Sequence, residues 1–95
     1  MLNYALLGLL AKEPRHGYEL RSAFETFLGG TWPLNIGQVY TTLARLERDG
    51  LVESERVHQE LLPDRKVYSL TPQGRQALDA WLDEPAHEVI RMKDE

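Results

Sequence analysis

"NIGQVYTTLARLERDGLVE", Asn35 to Glu53, changes its hydrophobic period partway along, and that change decides the fold. Val39, Leu43 and Leu46 recur at helical spacing, so they predict one apolar face on a helix running from about Ile36 to Asp49. Asn35 is a good N-cap residue and Gly50 is the expected stop. After Gly50 the stretch "LVESERVH" alternates apolar and polar residues, as a half-buried strand does. Opposite the apolar face lie Gln38, Thr41, Arg45 and Arg48, with Thr42 and Asp49 at the margin and Tyr40 to one side.

By type these are base-reading side chains. Arg offers two donors to guanine, Gln pairs in a bidentate way with adenine, and Thr meets a thymine methyl, a base edge or a phosphate. An exposed polar face is most often only solvated, so residue type alone does not establish a reading surface. The surroundings of the helix carry the inference further.

Upstream, residues 2–12 are apolar around nearly the whole helical circumference, the pattern of a helix buried between other elements, and Glu13-Pro14 ends it. A second helix is expected from about His16 to Leu28, with Leu20, Phe24, Phe27 and Leu28 on its core side and Tyr18, Ser22 and Glu25 opposite. Gly17 points inward there, where a missing side chain permits close helix approach. Gly29-Gly30 stops this helix, and "TWPLN" connects it to the third, Pro33 forbidding helical continuity.

Downstream, "KVYSL" predicts the second strand of an antiparallel hairpin, joined to the first by "QELLPDR" with Pro63-Asp64 as turn chemistry. Arg65 and Lys66 sit where the hairpin begins its return. Thr71-Pro72 starts a fourth helix with Ala77, Leu78, Trp81 and Leu82 on its apolar side, closed by Glu84-Pro85. The order of helix, helix, helix, two-stranded hairpin and helix predicts an α+β, mainly α, winged helix-turn-helix domain over residues 1–83. In such a module the outer face of the second helix of the pair enters the DNA major groove, and a wing tip reaches the minor groove or a phosphate.

Composition narrows the remaining classes. The chain has 95 residues, enough for one domain, with 42% hydrophobic and 27% charged residues, values ordinary for a globular protein. It has no cysteine, which excludes disulfides, thiol catalysis and Cys-based zinc sites. The longest apolar run, "YALLGLLA", is far short of the roughly 20 residues a membrane helix needs. No signal-peptide pattern is present, so a cytoplasmic protein away from membranes is expected. His16, His58 and His87 share no metal spacing and no Gly-rich phosphate loop occurs, so neither cofactor nor metal nor catalysis is expected.

The net charge is -4, and its distribution matters more than its sum. Residues 1–70 hold eight Lys/Arg against nine Asp/Glu, whereas residues 71–95 hold three against six. A nearly neutral body can bind nucleic acid only where its cations converge. The acidic total also keeps open an alternative, a winged-helix module that binds a protein instead of DNA.

Three segments together resemble the winged-helix domain of the PadR-like bacterial transcriptional regulators: "LLGLLAKEPRHGYEL", "LNIGQVYTTLARLERDGLVESE" and "DRKVYSLTPQGRQALDAWL". The resemblance spans about Leu2 to Leu82 and rests on His16-Gly17-Tyr18, Gly37-x-Val39-Tyr40 and Tyr68-x-Leu70-Thr71-x-x-Gly74 occurring in order. It implies a sequence-specific repressor that binds double-stranded DNA as a homodimer on a palindromic operator, often released by a small-molecule effector. It also implies that the third helix reads the major groove, that Tyr18 and Tyr40 hold phosphates, and that Arg65 and Lys66 belong to the wing. Members commonly have proline after the tyrosine of the third helix, where this chain has Thr41. They also continue into a C-terminal dimerisation helix, so residues 84–95 are expected to be a linker and the shortened start of that helix, with Val89, Ile90 and Met92 on its apolar side. A dimer built instead on the first and fourth helices would leave Trp81 and Leu82 exposed to a second copy, but core packing is the favoured reading of Trp81, as large aromatics are generally well buried.

Overall fold

Asn35 fixes where the central helix begins. Its side-chain oxygen accepts the Gly37 N–H at 2.6 Å, and the Gln38 side-chain oxygen accepts the Asn35 N–H at 3.3 Å, satisfying donors that a helix start leaves free. The helix, α3, spans Ile36–Arg48 with Asp49 as C-cap, and Gly50 leaves it at φ +75, a left-handed conformation suited to glycine. The computed structural model describes residues 2–27 and 33–83. Around α3 it places α1 (Leu2–Lys12), β1 (Arg15–His16), α2 (Gly17–Phe27), β2 (Val52–Gln59), β3 (Leu62–Leu70) and α4 (Pro72–Leu82).

The inward faces meet in one core. Leu6, Leu7 and Leu10 of α1, Leu20 and Phe24 of α2, Val39, Leu43 and Leu46 of α3, Val52, Tyr68 and Leu78 are all buried, and Leu34 of the connector joins them. Leu6, Leu7, Leu20, Val39, Leu43 and Val52 are fully enclosed. At about 1.5 to 3 kcal/mol for each large aliphatic side chain, these six dominate the adhesion between the layers. Beside them, Tyr4 of α1 and Trp81 of α4 stack with ring centroids 4.8 Å apart and planes 8° from parallel. Trp81 is thus half-buried against α1, and Leu82 beyond it is exposed.

The sheet differs from a plain hairpin. It has three antiparallel strands in the order β1-β3-β2, because Arg15 pairs with Tyr68 and His16 with Val67. This two-residue strand takes His16 out of the expected second helix, which starts at Gly17. Phe27, expected in the core, is exposed instead, at the last position of α2, beyond the turn that carries Leu20 and Phe24 into the core. Leu28, Gly29-Gly30, Trp32, His87 and the expected C-terminal helix with Val89, Ile90 and Met92 lie outside the described residues.

The wing is also longer than "QELLPDR" suggested. Gln59 pairs with Leu62, so the turn is Glu60-Leu61, and Pro63-Asp64 belong to β3. The register shifts between Val57 and Gln59, where His58 alone faces Pro63 and Asp64. Pro63 has no N–H to give to the ladder, which is a physical reason for the bulge to fall there. His58 Nδ1 lies 3.1 Å from Asp64 Oδ1, and Gln59 Nε2 donates to the Pro63 carbonyl at 2.8 Å.

Thr71 ties the last helix to the turn after α3. Its hydroxyl accepts the Gly74 N–H at 3.0 Å, capping α4, and donates to the Gly50 carbonyl at 2.6 Å. A Cβ on Gly74 would stand 2.0 Å from the Leu51 carbonyl oxygen, so the close approach of α4 to this turn requires glycine. The Tyr68-x-Leu70-Thr71-x-x-Gly74 motif is therefore the joint that holds α4 against the base of the wing.

Candidate nucleic-acid interface

α2 and α3 form the helix-turn-helix pair, and α3 turns its polar face outward. Gln38, Thr41, Arg45 and Arg48 are exposed on it, Thr42 is half-buried at the margin, and Tyr40 is exposed on the flank nearest α2. The side-chain oxygen of Gln38 is engaged in the cap, which leaves its NH₂ group as the part free to donate outward. Arg48 Nε lies 3.1 Å from Asp49 Oδ1, so Arg48 is partly neutralised by its neighbour. Arg45 has no ion pair among the described residues.

The acids beside this face are turned away or matched. Glu47 accepts the Ser54 hydroxyl at 2.6 Å, which draws its carboxylate back toward β2 and away from the exposed arc. That contact also places Glu47 near Tyr68. Burial, then the Glu47 carboxylate, then Tyr40 push the Tyr68 hydroxyl above its ordinary range, which favours the neutral form.

The flank of α3 rests on the start of α2. The Tyr40 ring sits on Gly17, so a Cβ there would stand 2.5 Å from it and the ring would have to move. Tyr18 meets Tyr40 edge to face, with centroids 6.3 Å apart and planes at 74°. The Arg21 guanidinium carbon lies 5.3 Å from the Tyr18 ring centroid, a cation–π contact. His16 Nδ1 accepts the Glu19 N–H at 3.3 Å while a Glu19 carboxylate oxygen accepts the His16 N–H at 3.1 Å, a reciprocal cap that fixes where α2 starts. His16-Gly17-Tyr18 thus supplies in turn a cap, a seat for Tyr40 and a neighbour for its ring.

In the wing, Arg65 donates to the Gln59 side-chain oxygen, and Lys66 is exposed with no ion pair among the described residues. The register sets Arg56 directly opposite Lys66. Neither Arg21 nor Arg56 emerged from the sequence as a candidate. Arg21 lay one residue from the Tyr18, Ser22 and Glu25 arc, and Arg56 becomes a partner of Lys66 only once the strand register is known.

Cation-bearing side chains therefore come from α2, α3 and the wing, with two tyrosine hydroxyls among them. Arg and Tyr of this kind can hold phosphates, and the middle of α3 can present donors to base edges. Among the described residues no group of three or more His, Asp or Glu is arranged to hold a metal. None of their helices is long and apolar enough to cross a membrane.

Residues 6–80 match the model of the transcriptional regulator PadR-like family. The chain is 36% identical over 93 residues to the negative transcriptional regulator PadR of Bacillus subtilis, covering 96% of this chain and 51% of that protein. It spans between 41% and 51% of the length of the curated relatives it matches. A crystal structure of Bacillus subtilis PadR in complex with operator DNA superposes with a TM-score of 0.81 at 36% identity, over 88% of this chain and 48% of that one. An X-ray structure of a PadR-like transcription factor from Bacteroides fragilis gives a TM-score of 0.83 at 29% identity, over 99% of this chain and 87% of that one.

Proposed function

The chain belongs to the transcriptional regulator PadR-like family, and from that premise we propose that it is a DNA-binding repressor that acts by occupying its operator, with no catalytic step. In this reading α3 enters the major groove, where Arg45 and Thr41 contact bases, Gln38 and Thr42 flank them, and Arg48 reaches the edge of the site. Tyr18, Tyr40, Arg65 and Lys66 bind phosphates and set the register of the domain on the duplex. One observation supports this most strongly. The exposed arc of α3 keeps Arg45 unpaired while Glu47 is drawn back to Ser54 and Asp49 is matched by Arg48.

The relative solved on operator DNA has the same fold over the helix-turn-helix and the wing, which supports duplex DNA as the ligand class. Two copies on a palindrome would require half-sites about one helical turn apart, or a multiple of it. A small-molecule effector would act on such a dimer by changing the spacing of its two reading helices. The cytoplasm is where such a regulator meets DNA.

Titrating random duplex DNA at low and moderate salt, and then duplexes enriched from a random pool, tests the reading. Binding should weaken steeply with salt on random DNA and persist on the enriched duplexes. An absence of binding to both would overturn it in favour of a module whose partner is a protein.

A further inference from the structure

The tip of the wing combines two unfavourable choices. Leu61 is fully exposed, Leu62 beside it is 61% exposed, and both project beyond any core contact. Leu61 also has a φ of +64, a left-handed conformation that leucine enters at a cost and glycine does not. Glycine at that position would relieve both the solvation and the backbone penalty. A residue held in such a state is a reason to look for what contacts it.

The stem behind the tip points to the occupant. Arg56 and Lys66 are directly opposite each other and share a face with Ser54 and Tyr68, because alternate residues of a strand share a face. Like charges so placed destabilise a hairpin unless an anion lies across them. Glu53 and Glu55 fall on the other face. At a rise of about 3.3 Å per residue, Lys66 lies roughly 13 Å behind Leu62. The minor groove of B-DNA is about 7.5 Å deep, so a tip at its floor leaves the long basic side chains at the level of the phosphates.

We propose that Leu61 and Leu62 enter the minor groove of duplex DNA as an apolar wedge that opens and bends it, while Arg56 and Lys66 hold the phosphates at its lip. The inference rests on the DNA-binding reading above. Two strands about 4.8 Å apart, with their side chains, are wider than a groove of about 6 Å, so entry demands widening. Apolar side chains that unstack a base step supply such widening and kink the duplex. Pyrimidine–purine steps deform most easily, so the wing adds a preference for such a step beside the α3 site without bonding to its bases. Glu60, exposed at the tip, opposes the phosphates, and Glu60→Gln raises affinity while leaving the bend unchanged.

The test uses the 95-residue chain and the duplex it enriches most from a random pool, placed at different positions along otherwise identical DNA fragments. With the unaltered chain the gel mobility of the complex should depend on the position of the site, the signature of a bend. Leu61→Gly with Leu62→Ser should abolish that dependence and weaken binding roughly tenfold or more, the worth of one buried leucine side chain. The double variant should melt close to the unaltered chain, because neither leucine contacts the core, showing that the loss is not one of folding. Bending that survives in the double variant, or a straight complex with the unaltered chain, would overturn the wedge and leave the proposed repressor function standing. A changed oligomeric state with unchanged DNA binding would also overturn it, assigning the tip to contact between copies. If no sequence is enriched at all, the wedge and the DNA-binding reading fall together.

Discussion

Gly74→Ala tests the joint between α4 and the wing, and the structure gives its magnitude. The new Cβ would stand 2.0 Å from the Leu51 carbonyl oxygen, a backbone atom that cannot rotate aside, and 2.7 Å from Leu70 Cδ1. An ordinary carbon-to-oxygen contact is about 3.3 Å, so α4 must withdraw by roughly 1.3 Å. That movement stretches the Thr71 N–H bond to the Leu51 carbonyl, now 3.2 Å, and the Thr71 hydroxyl bond to the Gly50 carbonyl, now 2.6 Å. Two hydrogen bonds at about 1 kcal/mol each, with about 1 to 3 kcal/mol of overpacking, outweigh the 0.8 to 1 kcal/mol, approximately, that alanine gains in a helix. The net loss is about 2 to 4 kcal/mol, a fall in Tm of roughly 10 to 30 °C for a domain this size. Gly8→Ala is the matched control, because nothing lies within 4 Å of a Cβ there. It should gain up to about 1 kcal/mol from helix propensity alone. Thermal melts followed by far-ultraviolet circular dichroism compare the two. A Gly74→Ala chain that melts within about 3 °C of the unaltered one would show that α4 does not need this close approach, since a loss of about 2 kcal/mol moves Tm further than that.

Four further outcomes are expected. Arg45→Ala should cost about 1 to 3 kcal/mol on an enriched duplex and relax its sequence preference, whereas Lys66→Ala should weaken all duplexes alike and lower the salt slope by about 1, as titrations across a salt series would show. Gly17→Ala pushes the Tyr40 ring off its seat, but the ring can rotate away, so the chain should melt near the unaltered protein and yet bind an enriched duplex about three- to tenfold more weakly, the worth of one displaced hydrogen bond. Leu43→Ala, at a fully enclosed site, should lose about 2 to 5 kcal/mol in denaturant unfolding. Tyr68 holds its proton more firmly when folded than unfolded, so its share of stability is complete below about pH 10 and is lost as the pH rises through its raised folded value. An ultraviolet titration should show a tyrosine step above the ordinary range, and Tyr68→Phe should remove that step and lower the alkaline slope in stability.

Much of the fold was legible because its signals are local. Asn35, Gly50 and Thr71-Pro72 mark ends where a side chain or a left-handed residue must meet an unsatisfied backbone group, and all three act in place. The core side of α3 followed from period alone. What stayed hidden depends on partners distant in sequence. β1 is two residues long and exists only through its pairing with Tyr68 and Val67, so no period could announce it. Phe27 has the spacing of a core residue, but burial also requires packing partners at that height, and it is exposed. Pro63-Asp64 read as a turn because composition locates breaks and not register; the proline instead interrupts a strand pair.

The candidate interface divides the same way. The arc of Gln38, Thr41, Arg45 and Arg48 could be drawn from the sequence because one helix carries all four. The seat of Tyr40 on Gly17, the drawing back of Glu47 to Ser54 and the Arg56–Lys66 pair join different elements, and only packing brings them together. Glu47 shows why this matters. A carboxylate on this helix would repel phosphates if it faced outward, and the bond to Ser54 turns it toward the wing.

The most direct test of α3 as the DNA-reading surface is a nitrogen-15 chemical-shift titration of the chain with an enriched duplex. The largest amide shifts should fall between Gln38 and Arg48 and between Leu61 and Lys66, with Tyr18 beside them and little change along α1. Shifts concentrated on α1 and α4, with α3 unmoved, would contradict that role for α3.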